Sequence, residues 1–360
     1  MRNSWGKIKK RFNALWQNEI VDRCCVRVIA FKNGKEYQKP PLPESPEERK
    51  AYWLDAERVL NRELDRIQNT YFAGEAFPQI FPNFGAAGHA AFFKNVQVEF
   101  QNSIWMHPDQ EVRAGETFEI EFNPDSLLLQ KTIAVIKYLI MESRGRFFVS
   151  MPDISGNLDA LAHIRDSKNL LMDMALQPEV VQQALDKIMQ VWKDVTKEAY
   201  DLTRENNDGG GTIGWLDTWA PGFHSQLQCD ISVMISPEMF KTFAMPELRE
   251  EAEFLKYPLY HLDGQEQIRH LDQLLSIETL KMIQWTNVVG QPSPVEFIPE
   301  LKRIQRAGKA LLVRIDNLND IEPLLQALSS KGLYLFVEPT LDSEEEADEV
   351  VKLVKKLTHE

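Results

Sequence analysis

Cysteine is scarce in this chain. Only Cys24, Cys25 and Cys229 occur among its 360 residues. Cys24 and Cys25 are adjacent and cannot easily bridge one another, and no Cys-x-x-Cys pair exists, a pattern that fits a reducing, cytoplasmic compartment. Positive charge is also short. Lys and Arg number 41 against 54 Asp and Glu, a net charge of −13, which excludes the basic stripe a nucleic-acid surface needs and argues against docking on anionic lipid. No apolar run is long enough to span a membrane. The N-terminus is basic and amphipathic (Lys7, Lys9, Lys10, Arg11) but lacks the apolar core of a signal peptide. Several motifs are missing too: no Gly-x-Gly-x-x-Gly follows a strand, and there is no P-loop, Gly-x-Ser-x-Gly, His-Glu-x-x-His or Asp-x-His-x-x-Gly of the corrinoid-binding type.

What remains is a globular composition, 43% hydrophobic and 26% charged. Trp5, Ile8, Phe12, Leu15 and Trp16 recur at helical spacing, so residues 1–20 are expected to form a helix packed on the body. Residues 21–31 read as a first strand, and residues 46–70 as a charged helix. The stretch 71–108 is rich in aromatics, beginning with Tyr71, and reads as a long loop-and-strand region. Residues 127–143 form an amphipathic helix. From residue 146 onward strands and helices alternate, with strands expected at 147–151, 211–217, 257–263, 280–285, 310–316 and 333–338. Alternation of this kind implies a parallel sheet. With the N-terminal strands the count approaches eight, so the expected fold is α/β: residues 21–360 as a single (β/α)₈ TIM barrel carrying an N-terminal helical extension, with an open doubly wound sheet as the alternative.

In such a barrel, chemistry sits where strands run into the loops that follow them. Tyr257–Gly264 is the plainest case: side chains alternate along a strand, so His261 and Asp263 share a face at its end. Trp215, Asp217 and Trp219 alternate in the same way. Gln284 and Trp285 end another strand, Arg314 and Asp316 are two apart, Glu338 closes the last strand and Asp153 follows an earlier one. Ionised groups in a barrel interior are costly unless paired, which points to a polar mouth. Two chemistries fit. His261, Asp263 and Glu338 are nitrogen and oxygen ligands suited to a divalent metal such as Zn²⁺. Paired acids with tryptophan platforms suit a carbohydrate instead. In either case Asp217, Asp153, Arg314 and Asp316 are candidate catalytic groups, and Trp215, Trp219, Gln284, Trp285 and Tyr71 candidate substrate contacts. A barrel that binds a ligand without catalysis is a third reading.

Gly214-Trp215-Leu216-Asp217-Thr218-Trp219-Ala220-Pro221-Gly222, Gln228-Cys229-Asp230 and Ile235-Ser236-Pro237-Glu238-Met239-Phe240 resemble the uroporphyrinogen decarboxylase superfamily over roughly residues 140–350. Met151-Pro152-Asp153 stands where that family has a Gly-Ala-Pro-Phe-Thr-type loop. The resemblance implies a (β/α)₈ barrel. The decarboxylases' N-terminal Arg-Gln-Ala-Gly-Arg-type motif is not present near residues 24–35, so the resemblance leans to the corrinoid-linked methyltransferases. Those hold zinc with a His-x-Cys pair and a later Cys; here the corresponding positions read His261-Leu262-Asp263 and Glu338. This harder ligand set implies metal-assisted chemistry on a small oxygenated or methylated substrate rather than a thiol. The partners implied are that substrate, a separate corrinoid protein and, as a candidate, a second copy of the chain in a homodimer.

Overall fold

The computed structural model describes residues 2–110, 112–288 and 290–360. Its strands are β1 (Cys25–Phe31), β2 (Thr70–Gly74), β3 (Gln79–Ile80), β4 (Val96–Phe100), β5 (Ile104–Pro108), β6 (Phe148–Val149), β7 (Gly211–Ile213), β8 (Thr218–Ala220), β9 (His224–Leu227), β10 (Tyr257–Asp263), β11 (Met282–Thr286), β12 (Ala310–Ile315) and β13 (Leu333–Val337). The helices are α1 (Arg2–Leu15), α2 (Pro46–Leu54), α3 (Ala56–Gln68), α4 (Leu127–Ser143), α5 (Asn157–Arg165), α6 (Ser167–Leu176) and α7 (Pro178–Thr203). They continue with α8 (Pro237–Met239), α9 (Met245–Phe254), α10 (Leu271–Leu275), α11 (Ile298–Arg306), α12 (Ile321–Ala327) and α13 (Glu344–Leu357). None is long and apolar enough among the described residues to cross a membrane.

A mixed α/β architecture with a largely parallel central sheet results. Seven strands pair in the order β2-β1-β13-β12-β11-β10-β9, parallel throughout except for β1 with β2. A separate parallel pair joins β3 to β6, and Met151 just beyond β6 bridges Ile213 of β7. No ladder joins β1 to β3 or β7 to β9 among the described residues, although a Cβ at Gly211 would stand only 3.1 Å from His224. The stretch 71–108 resolves into β2, β3, a short turn and the β4–β5 hairpin.

Period-2 alternation sorts the strand side chains into two populations. Val26, Val28, Leu262, Ile283, Leu311, Val313 and Leu335 join the larger core beneath the helices. Cys25, Phe148, Ile213, Leu259, Met282, Leu312 and Tyr334 meet in a second, inner cluster. Helix α1 closes one end of it: Phe12 is fully buried, edge-on to Phe77 and Tyr334, and Trp5 is edge-on to Phe148 and Trp219. Helix α1 runs over Arg2–Leu15 and packs against this inner cluster.

Phe12→Ala is expected to lower the denaturant midpoint and cost about 3–5 kcal/mol, as for other large core truncations. Equilibrium unfolding by urea is the check, and an unchanged midpoint would show that α1 does not hold the inner cluster together.

Candidate functional site

On the inner face the strands change chemistry partway along. In register, Leu259 lies beside Met282, His261 beside Gln284 and Asp263 beside Thr286. The apolar layer thus gives way within two residues to a polar one. His261 and Asp263 share a face, as their spacing requires, with His261 Nε2 3.8 Å from Asp263 Oδ1. Asp230, just after β9, completes the group: one ligand atom each from Asp230, His261 and Asp263 lies within 4.8 Å of the others.

The imidazole is fixed from behind. Its Nδ1 donates to Gln284 Oε1, whose amide nitrogen donates in turn to Thr286 Oγ1. With the proton committed to Nδ1, the Nε2 lone pair faces the two carboxylates, the arrangement in which a neighbouring acceptor orients a metal-binding histidine. Trp215 contacts the same ring edge-on at 4.9 Å. Asp230 Oδ1 is buried and has no hydrogen-bond partner among the described residues, and burial raises the Asp230 pKa.

Asp153 belongs to the same neighbourhood. Its Oδ1 accepts from Ser155 Oγ at 2.8 Å and Gln226 Nε2 at 3.2 Å. Loss of hydration pushes its pKa up to about 6, with the two hydrogen bonds opposing the rise and the nearby Asp230 adding to it. Ser155 Oγ also lies 2.9 Å from Gln228 Oε1, and Gln228 Nε2 donates to Asp230 at 3.3 Å, so one polar chain links Asp153 to Asp230. Behind it Asp159 accepts from the backbone N–H groups of Asp230 and Ile231, both at 2.8 Å. Gly156 makes this approach feasible: its φ is +77°, and a Cβ there would stand 2.3 Å from Asp159 Oδ2.

The other expected site residues are placed differently. The segment 211–217 is not one strand. The chain turns at Gly214, where a Cβ would meet Ser150 and Phe81, and Asp217 adopts a left-handed φ of 45° before the antiparallel β8. Trp219 therefore does not share a face with Trp215 and Asp217. Asp217 accepts from Arg27 Nε and Gln79 Nε2, both at 2.5 Å. Trp219 is fully buried against α1 and donates to Asn207 O at 2.8 Å. Trp285 lies on the outer face against Phe297. Glu338 stands outside the Asp230–His261–Asp263 group, bound by Arg314 Nε at 3.0 Å. Asp316 is exposed and accepts from Asn287 rather than pairing with Arg314. Tyr71 donates its hydroxyl to Asp348 on α13 at 3.0 Å. Gln284 supports His261 from behind. Asp230 is the residue the sequence reading did not select.

No protein-family model matches the sequence, and no curated protein matches it. Seven solved chains match in structure. A methyltransferase from Methanosarcina mazei superposes with a TM-score of 0.58 at 12% identity, over 97% of this chain and 98% of that one. The chain shares that enzyme's fold. At this identity the likeness concerns architecture, end to end.

Beyond Asp159 two further acids are buried on α9. Among the described residues Glu247 accepts only from Leu158 N–H, at 3.3 Å, and neither carboxyl oxygen of Glu251 has a hydrogen-bond partner. Burial raises both pKa values well above 4.5, and the neighbouring acids add to the rise. A raised folded-state pKa means that the folded chain keeps a proton that the unfolded chain releases. Stability therefore falls as pH climbs above 4.5. Glu251→Gln removes that loss. It should gain on the order of 1 kcal/mol at about pH 8 and converge with the parent near about pH 4. Thermal melts across pH test this, and a variant destabilised equally at both ends would refute it.

Proposed function

We propose that this chain is a methyltransferase-like enzyme that works with a divalent metal held by Asp230, His261 and Asp263. The observation carrying the reading is their convergence at the polar end of β9 and β10, with Nε2 of His261 directed by Gln284. The residues fit such an ion. One imidazole and two carboxylates form a nitrogen–oxygen donor set suited to Zn²⁺ or a similar divalent metal, and the unpartnered Asp230 Oδ1 lacks what a cation would supply. We further read the sheet as a (β/α)₈-type barrel. Supporting this, β1, β6, β7, β10, β11, β12 and β13 all contribute to one inner cluster, and Arg27 and Gln79 reach across to Asp217.

Asp230, His261 and Asp263 would hold the metal, which would supply Lewis acidity toward an oxygen of the substrate. The remaining work falls to the chain. His261 is held in one tautomer by Gln284. Asp153, with a pKa near 6, takes or returns a proton at its carboxyl oxygen. Trp215 packs against His261 and limits water at its edge. The substrate class that suits a hard donor set is a small oxygenated or methylated compound. The proposal includes a corrinoid carried by a separate protein as the methyl carrier, and its support is the family resemblance alone. Metal-free acid–base chemistry is the second reading, favoured by the raised pKa of Asp153. It predicts turnover that survives complete metal removal.

Protein purified without chelator should carry about one equivalent of divalent metal. Gln284→Leu should weaken metal affinity about 10–100-fold, the usual cost of losing a supporting partner, while Glu338→Gln leaves it unchanged. Metal analysis with competitive chelator titration decides this, and failure to bind any divalent ion at micromolar concentration rejects the metal. Once turnover is found, its rate should change through a pH limb near 6 that Asp153→Asn abolishes.

A further inference from the structure

A cavity of about 330 Å³ lies between the ends of β1 and β13, the 81–84 turn and helices α2 and α3, within the roughly 300–1,000 Å³ range of small-molecule sites. Its lining combines two features. The first is flat walls: Arg62 lies over the Tyr52 ring at 4.0 Å and Arg27 over Phe336 at 4.3 Å, with Trp53, Phe81 and Trp215 also facing the space. The second is charge. Four cations (Arg27, Lys39, Arg62, Arg66) face three acids (Glu63, Asp217, Glu338), so the lining is net positive in a chain of net charge −13. The arginines are committed: Arg27 to Asp217 and Val337 O, Arg66 to Glu63 and Gln79 O, Arg62 to Tyr52 O. Lys39 is exposed and has no hydrogen-bond or ion-pair partner among the described residues. Tyr37 donates to Arg62 O at 3.3 Å, which holds the segment carrying Lys39 against α3.

We propose that this cavity binds a small planar aromatic compound bearing one carboxylate or similar anionic group, with the ring against Trp53, Phe81 and Trp215 and the anion at Lys39. Its uncharged end then faces Trp215, the residue shared between the cavity and the edge of His261. Naming this compound as the substrate rests on the functional reading above; its binding does not.

The test uses metal-stripped full-length protein and three probes: 4-methoxybenzoate, anisole, which lacks the charge, and cyclohexanecarboxylate, which lacks the ring. Binding is read by quenching of tryptophan fluorescence, since Trp53 and Trp215 line the space, and by thermal shift. 4-Methoxybenzoate should bind at least about ten-fold tighter than either control. Lys39→Gln should weaken the acid about ten-fold and leave anisole unchanged, whereas Phe81→Ala weakens both. Asp263→Asn should leave binding of the acid intact, so loss of the metal reading and loss of the cavity reading remain separate results. Equal affinity for the three probes, no binding at millimolar concentration, or an acid indifferent to Lys39→Gln overturns the proposal.

Discussion

The parallel register running from β10 through β11, β12 and β13 to β1 is the constraint on which the site depends. It places Leu259 beside Met282 and Met282 beside Ala310, and Cys25 beside Tyr334. Inner-facing positions at one level are therefore apolar across several strands, and those nearer the ends of β10, β11 and β12 are polar, with Phe336 of β13 apolar between Arg27 and Arg314. A slip of one residue on β10 would turn His261 and Asp263 toward the helices and bring Tyr260 and Leu262 inward. The cost of burying two ionisable groups beneath helices, with their partners on the other face, keeps the register in place. The chemistry of the candidate site and the packing of the core thus follow from the same set of backbone hydrogen bonds.

Above that level the molecule concentrates acid. Asp153, Asp159, Asp230, Glu247 and Glu251 all have raised pKa values, in each case chiefly because water is excluded. Their partners are mainly backbone N–H groups, hydroxyls and amides, not cations. By contrast, Asp217 and Glu338 are each matched by an arginine. Two kinds of carboxylate thus sit near one another: one set neutralised within the fold, the other left with unsatisfied demand.

Much of the fold was legible in the sequence, because the strands that bury one apolar face announce themselves. Residues 257–263 and 127–143 are a strand and a helix with the expected bounds. Strand β9 was not legible: His224-Ser225-Gln226-Leu227 is polar in composition, yet all four residues are buried. Asp230 was missed for the same reason, since nothing marked it as lying beyond a strand end. The turn at 214–217 was misread because Asp217 adopts a left-handed conformation, which a non-glycine residue seldom does. The pairing of Arg27 with Asp217 joins residues 190 apart, and such closures depend on the whole arrangement rather than on local pattern. His261 and Asp263 were legible as a pair because two residues on a strand suffice to share a face. Glu338 was assigned to them by strand-end position and by the family resemblance, and Arg314 pairs with it instead.

Helix α1 has a consequence for traffic. Its Trp5, Ile8, Phe12 and Leu15 fill the end of the inner cluster opposite the polar layer, so among the described residues that end is plugged by apolar side chains. A molecule approaching His261 from that end would meet Trp5, Phe12 and Trp219 packed against one another.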